Sequence, residues 1–106
     1  MMFEILKNIF SKKDNSVMEN LINDGAFLVD VRSAAEFAEG HVNGSVNIPV
    51  DQVQSQLAKF KDKKHIVVFC RSGMRSSQAK STLERNGFTN VTNGGTWQSV
   101  NSFINK

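Results

Sequence analysis

The 106-residue chain has few of the features that define several common protein classes. It contains one cysteine, which excludes a disulfide framework and a cysteine-rich zinc site. It has no apolar run long enough to cross a membrane, so we expect no transmembrane segment. Its 13 basic and 10 acidic residues are scattered, with no basic stripe interleaved with aromatic residues. We therefore expect no nucleic-acid partner.

What the chain does contain is typical of one globular domain. The hydrophobic fraction is 40%, and eight phenylalanines can contribute to a core. We assign residues 15–106 to this domain and expect a monomer. Residues 1–14 form an N-terminal extension whose apolar residues have helical spacing, which predicts an amphipathic helix that packs on the domain or docks elsewhere. Charges interrupt its apolar run and no cleavage site follows, so we predict a cytoplasmic protein.

Short apolar runs alternate along the chain with segments of helical periodicity. The runs leave no polar face, which is typical of parallel strands covered by helices on both sides. The predicted strands are 26–31, 45–48, 65–70 and 88–92. The predicted helices begin at Asn15 or Ser16, at Ser33 in a capping box with Glu36, after Pro49, at Ser76 and at Trp97, and 93–96 is predicted to be a turn. The pattern predicts an α/β fold.

The segment HIVVFCRSGMRSSQAK, residues 65–80, has the composition of a nucleophile's loop. A buried strand ends at Cys70 and a helix follows, and ligands of open α/β sheets bind beyond the carboxyl ends of the strands. Inward-pointing N–H groups, the positive helix end and the charges of Arg71 and Arg75 all favour a thiolate. Such surroundings lower a cysteine pKa from about 8.5 to roughly 3.5–7.5. Gly73 supplies the backbone freedom that a tight loop needs.

Neither histidine is placed to act as a base for this cysteine. His65 begins the strand that Cys70 ends, about 16 Å away along an extended chain. His41 is expected to hydrogen-bond its local turn. A Cys–His protease is therefore a poor match, whereas a resting thiolate needs no base.

Three segments, in this order, resemble the rhodanese family over about residues 17–104. They are DVRSAAEFAEGHVNGSVNIP (30–49), VVFCRSGMRSSQA (67–79) and GFTNVTNGGTWQ (87–98). The resemblance implies a small, mostly parallel five-stranded sheet with helices on both faces. It also implies a sulfurtransferase that moves sulfane sulfur from a donor, thiosulfate or a persulfide, through a cysteine persulfide to cyanide or a thiol. It implies no metal and no organic cofactor.

The resemblance also implies roles for individual residues. Cys70 would be the nucleophile, and Arg71 and Arg75 would line the mouth of the site and attract a small anionic donor. The loop expected to cradle the persulfide consists of Arg71, Ser72, Gly73, Met74, Arg75 and Ser76. Asp30 and Arg32 would brace the site as a hydrogen-bonded pair, with each other or with Glu36, and Trp97 would belong to the core. Because family enzymes often have two such domains, a single domain should leave Cys70 more open to solvent and to a protein persulfide donor.

Two alternatives share the predicted architecture. Tyrosine phosphatases and related arsenate reductases place an arginine where this chain has Ser76; Arg75 lies one position early. Among rhodanese relatives a loop of the length Cys70–Arg75 is associated with sulfur, and a loop one residue longer with phosphate or arsenate, because a tetrahedral oxyanion needs a wider ring of amides. The other alternative is a non-catalytic binding module, but such modules usually lack the cysteine.

Overall fold

The computed structural model describes residues 16–104, in which helices and strands alternate as the periodicity predicts. The elements are α1 (16–23), β1 (Phe27–Asp30), α2 (Ala34–Glu39), β2 (Val46–Asn47), two 3-10 segments (Val50–Gln52 and Gln54–Phe60), β3 (Ile66–Cys70), α3 (Met74–Arg85), β4 (Val91–Thr96) and α4 (Trp97–Ile104). The helix predicted within residues 1–14 lies outside the described residues. Within the described part of the chain, no helix is long and apolar enough to cross a membrane.

The strands form one parallel sheet in the order β2–β1–β3–β4. This confirms the α/β class and the parallel sheet. Residues 16–104 contribute four strands, however, and the fifth implied by the family resemblance is not among them. The four correspond to the four apolar runs of the sequence, so the local pattern predicted the strand count better than the resemblance did. Because all pairs are parallel, the carboxyl ends of β1 and β3 lie side by side and bring Asp30 and Cys70 to one edge of the sheet.

Strand β4 continues through residues 93–96, where a turn was predicted. The register changes there: Val68 pairs with Asn93 and Phe69 with Gly95, so Gly94 is the extra residue of a β-bulge. A Cβ atom at Gly94 would lie 2.8 Å from Val100 Cγ2. Gly94 therefore serves close packing between β4 and α4, and not a turn.

The helix predicted after Pro49 is two 3-10 segments separated at Val53, and the second is kinked at Gln56. Val53 and Phe60 are buried and Leu57 is half-buried, so the predicted apolar face exists although the helix type differs. The capping box of α2 is confirmed. Ser33 Oγ accepts the Glu36 N–H at 3.2 Å, and the Glu36 carboxylate accepts the Ser33 N–H at 3.0 Å.

Two apolar layers cover the sheet, one on each face. The side chains of β3 alternate between them: Ile66, Val68 and Cys70 join the layer beneath α3, and Val67 and Phe69 join the layer of α1 and α4. This alternation confirms the predicted helices on both faces. It also aims Cys70 at the side of the sheet where α3 begins.

Candidate active site

The sulfur of Cys70 lies inside the turn that connects β3 to α3. The Gly73 N–H donates to Sγ at 3.0 Å and the Ser76 N–H donates at 3.4 Å. The Ser76 hydroxyl oxygen lies 3.5 Å from the same sulfur. Gly73 has φ +98°, a left-handed conformation that favours glycine and here turns its N–H toward the sulfur.

Helix α3 begins at Met74 with Gly73 as its N-cap, and not at the predicted cap Ser76. The left-handed conformation of Gly73 turns the chain directly from the loop into the helix, so α3 starts earlier than the polar residues indicated. Ser76 is instead a buried residue of the first helical turn, where backbone N–H groups have no partner within the helix. One of these N–H groups is the one that donates to Cys70, as a positive helix end would.

The hydrogen bonds outweigh burial in setting the acidity of the thiol. Burial, the largest single influence, raises the pKa of Cys70 because it disfavours the charged form. The Ser76 hydroxyl and the N–H groups of Ser76, Gly73 and Ser72 lower it, and their combined effect leaves the pKa below its ordinary value of 9.0. The direction agrees with the sequence-based expectation.

Cys70 is fully buried, with 0% of its surface exposed, although an open site was expected for a single domain. The reason is local: Sγ points back into the domain, beneath the first turn of α3, and the loop closes around it. Arg71, Ser72 and Met74 are the exposed residues of that loop, and Met74 is 77% exposed as the first residue of the helix. A substrate must therefore pass the loop side chains to reach the sulfur.

The two loop arginines have different surroundings. Arg71 extends into solvent with 76% of its side chain exposed, 3.9 Å from Glu36 Oε2. Arg75 is held by Glu36 in a two-pronged ion pair, with Nη1 2.7 Å from Oε1 and Nη2 3.0 Å from Oε2. Hydrogen bonds from Arg75, and next from the Ser33 N–H, lower the pKa of Glu36 to about 2. Glu36 therefore lies near both arginines that were expected to attract an anionic donor, with Arg75 held closely and Arg71 the more exposed.

Asp30 and Arg32 form a buried pair with each other, and Glu36 is not part of it. Arg32 Nε donates to both carboxylate oxygens of Asp30 at 3.0 Å, and Nη2 donates to Oδ2 at 2.7 Å and to the Gly40 carbonyl at 2.7 Å. The guanidinium carbon lies 4.7 Å from the ring centroid of the half-buried Trp97. The pair joins the end of β1 to the end of α2 and to the start of α4.

The two histidines are engaged away from Cys70. His41 Nδ1 lies 2.8 Å from the Phe37 carbonyl oxygen, in the local turn where it was predicted to bond. His65 Nε2 lies 2.9 Å from Asp24 Oδ2 at the start of β3. Within residues 16–104, no three His, Cys, Asp or Glu side chains cluster closely enough to hold a metal ion.

One residue of the site, Asn93, was missed from the sequence. Its Oδ1 lies 2.7 Å from the Ser76 hydroxyl oxygen, so the side chain belongs to the surroundings of Cys70. Asn93 stands just before the double glycine and was assigned to a turn. Its position on a strand adjacent to β3 is the signal that would have found it, but only with the bulged register known.

Comparison with known proteins agrees with this architecture. The family model of the rhodanese-like domain matches residues 14–95. The chain belongs to the rhodanese family. It is 36% identical over 69 residues to the thiosulfate sulfurtransferase PspE of Escherichia coli, a match that covers 63% of this chain and 66% of PspE. Among solved structures, the human single-domain sulfurtransferase TSTD1 superposes with a TM-score of 0.67 at 30% identity, covering 86% of this chain and 93% of that one.

Other rhodanese relatives have different names or much longer chains. The protein YqhL of Bacillus subtilis is 37% identical over 68 residues, which cover 64% of this chain and 54% of YqhL. A tRNA uridine(34) hydroxylase of Cronobacter sakazakii is 36% identical over 73 residues, but these are only 21% of its length. The chain thus spans between half and two thirds of YqhL and PspE, and family membership alone does not define one reaction.

Proposed function

We propose that the chain is a sulfurtransferase in which Cys70 carries sulfane sulfur as a persulfide. The observation that carries the proposal is the ring of donors around Sγ, with the Gly73 N–H at 3.0 Å and the Ser76 N–H at 3.4 Å. These groups stabilise a thiolate, which is the nucleophilic form of cysteine. The names of PspE and TSTD1 support the same reaction class.

In the first step, the Cys70 thiolate attacks the outer sulfur of thiosulfate. A bond forms between Sγ and that sulfur, the S–S bond of thiosulfate breaks, and sulfite leaves with the bonding electron pair. The product is a Cys70 persulfide whose outer sulfur is negatively charged. The donors that we propose for this sulfur are the N–H groups of Met74 and Arg75, which lie in the first turn of α3 and have no acceptor within the helix.

In the second step, the acceptor attacks the outer sulfur. Cyanide forms thiocyanate, or a thiolate forms a new persulfide, and in either case Cys70 leaves as a thiolate and the enzyme is regenerated. No net oxidation occurs, so no external oxidant or reductant is needed. Because the chain has no second cysteine, the sulfur must leave to an outside acceptor.

Access favours small donors and acceptors. Cys70 is buried behind the loop, and Arg71 is the charged side chain most exposed at the mouth. A thiosulfate dianion fits this arrangement, and a persulfide presented by another protein would require the exposed side chains of the loop to move aside. We also propose that the protein works as a monomer in the reducing cytoplasm.

Intact-mass spectrometry tests the proposal directly. The purified protein is incubated with thiosulfate, and cyanide is then added. We expect a gain of the mass of one sulfur atom, discharged by cyanide as thiocyanate, in the wild type and in Ser77→Ala, a matched change on the exposed side of α3. Cys70→Ala should show neither step.

The alternatives make opposite predictions in the same experiment. An alkylatable Cys70 that gains no sulfur from thiosulfate or from a low-molecular-weight persulfide would contradict sulfur transfer. Hydrolysis of an aryl phosphate, lost in Cys70→Ala, would then favour the phosphatase. The absence of both activities would favour a binding module.

A further inference from the structure

We propose that Asn93 is a positioning residue for Cys70, because its amide oxygen competes with the Cys70 thiolate for the single hydroxyl proton of Ser76. Asn93 lies on β4 and bonds to Ser76, whose hydroxyl oxygen lies 3.5 Å from the reacting sulfur. We propose that it acts through the Ser76 hydroxyl, to which its contact is the shorter, 2.7 Å against 3.5 Å from its Nδ2 to the Gly73 carbonyl oxygen. The inference rests on the proposed function only in taking Cys70 as the nucleophile.

The orientation of the Asn93 amide follows from its neighbours. The Gly95 N–H donates to Oδ1 at 2.9 Å, and a peptide N–H can only donate, so the atom facing it must be the oxygen. On the other side, Nδ2 lies 3.5 Å from the Gly73 carbonyl oxygen, which can only accept. The bulge at Gly94 separates Asn93 from Gly95 and allows this local bond.

The Ser76 hydroxyl has more acceptors than protons. Its oxygen lies 2.7 Å from Asn93 Oδ1, 3.1 Å from the Gly73 carbonyl oxygen and 3.5 Å from Cys70 Sγ. Asn93 Oδ1 cannot donate, so in the shortest of these contacts the hydroxyl donates to Asn93. With Cys70 as a thiol, its S–H can donate to Ser76 Oγ, and a directed chain runs from Cys70 through Ser76 to Asn93.

Ionisation of Cys70 removes the S–H donor at the start of this chain of hydrogen bonds. The thiol proton leaves to solvent, and the thiolate keeps its N–H bonds but must share the hydroxyl proton with Asn93, whose oxygen makes the shorter contact. The hydrogen bond by which the hydroxyl lowers the pKa of Cys70 forms only to the extent that the hydroxyl turns from Asn93 to Cys70. Asn93 Oδ1 still accepts from Gly95 after that turn, so the hydroxyl can move without leaving an unsatisfied oxygen. The strength of the Asn93 bond therefore sets how much the hydroxyl stabilises the thiolate.

The charged groups around Cys70 do not take part in this competition. Arg71 and Arg75 belong to the loop and α3, Glu36 of α2 is bound to Arg75, and Asp30 at the end of β1 is bound to Arg32. Strand β4 and helix α4 contain no charged residue. Uncharged variants at Asn93 thus change which acceptors are open to the Ser76 hydroxyl without changing the charged groups around Cys70.

The test measures the pKa of Cys70 from the pH dependence of its alkylation rate by iodoacetamide. Asn93→Ala frees the hydroxyl to donate to the thiolate, so we expect the pKa of Cys70 to fall below that of the wild type. Ser76→Ala removes the donor and should raise it, and the two variants should differ by about half to one unit, the equivalent of one ordinary hydrogen bond. Ser77→Ala, the adjacent control, should leave the pKa unchanged.

The double variant separates this role from a merely structural one. In the Ser76→Ala background, Asn93→Ala should no longer shift the pKa, because no hydroxyl remains to be shared. A shift that persists in that background, a rise instead of a fall in the single variant, or no shift at all would each overturn the proposal.

Asn93→Asp provides the test if Asn93→Ala fails to fold. It keeps the size of the side chain and the bond to Gly95, but holds the hydroxyl more firmly and adds a charge. We expect it to raise the pKa of Cys70, and to raise it less in the Ser76→Ala background, where only the charge acts. Equal shifts in both backgrounds would overturn the proposal. Alkylation needs no sulfur donor, so failure of the sulfur-transfer assay leaves this result decisive on its own.

Discussion

Two arginine–carboxylate pairs flank the Cys70 loop, and they differ mainly in burial. Asp30 and Arg32 have side chains that are 0% and 5% exposed, whereas Glu36 and Arg75 are 22% and 34% exposed. Both pairs are two-pronged, so their geometry is similar. The buried pair cannot exchange its partner for water, and it fixes the chain at the end of β1. The Glu36–Arg75 pair is partly exposed, so water can replace either partner. We therefore expect it to affect the charge near the Cys70 loop more than the stability of the fold.

Asp30→Asn should therefore have the largest effect on stability. It leaves the Arg32 guanidinium buried without its countercharge, and breaking a buried pair in this way typically costs about 3–5 kcal/mol. We expect the free energy of unfolding, measured by urea titration, to fall by this amount. Asp51→Asn, at an exposed position, is the control. A loss no larger than that of the control would mean that Arg32 finds other partners.

Glu36→Gln should change activity more than stability. Glutamine preserves the capping box of α2 but removes the charge that occupies Arg75. The freed arginine would attract the thiosulfate dianion, and an exposed pair of about 0.2–1 kcal/mol corresponds to a gain in kcat/KM of up to about fivefold. The gain should shrink with added salt. A fall in kcat/KM would contradict this and would show that activity requires Arg75 to stay paired with Glu36.

The same pair predicts how stability depends on pH. The pKa of Glu36 is lowered from 4.5 to about 2 in the folded protein, so its contribution is full above pH 4.5 and is lost as pH falls toward 2. Between these values the wild type should lose more stability than Glu36→Gln. Urea midpoints of both proteins across this range provide the measurement, and parallel curves would contradict the prediction.

Asp24→Asn should have the smallest effect. Asp24 contacts Lys64 and His65 at 2.9 Å, but the Asp24 and Lys64 side chains are exposed and that of His65 is only partly buried. Water and salt compete for such contacts, so we expect a thermal midpoint close to that of the wild type. A large drop would mean that exposure is a poor guide to the importance of these pairs.

The sequence predicted the elements that depend on local pattern. The β3 segment is apolar throughout and is buried at every position, and the Ser33–Glu36 spacing did form a capping box. The Asp30–Arg32 pair and the position of Cys70 at a strand end came from the family resemblance together with that pattern. Each of these features involves residues close in sequence or identical in type to a known motif.

The features that were missed depend on strand register, on the conformation of one glycine and on contacts between elements distant in sequence. The role of Asn93 follows from a one-residue bulge that no local signal marks, because glycines suit turns and bulges equally. Helix α3 begins earlier than predicted because Gly73, with φ +98°, is its N-cap, whereas the polar residues after it had indicated a cap at Ser76. The burial of Cys70 and the pairing of Arg75 with Glu36, 39 positions apart, likewise arise only when α2 and α3 meet at the sheet edge.

The ring of amides around Cys70 has a consequence for the newly made chain. Gly73 and Ser76 surround the sulfur only once the left-handed glycine and the first helical turn have formed. Before that, the chain's one cysteine is an ordinary thiol with an ordinary acidity. Folding is thus the step that both lowers the pKa of this thiol and buries it, so the pH dependence of its reaction with a thiol reagent differs between the folded and the unfolded chain.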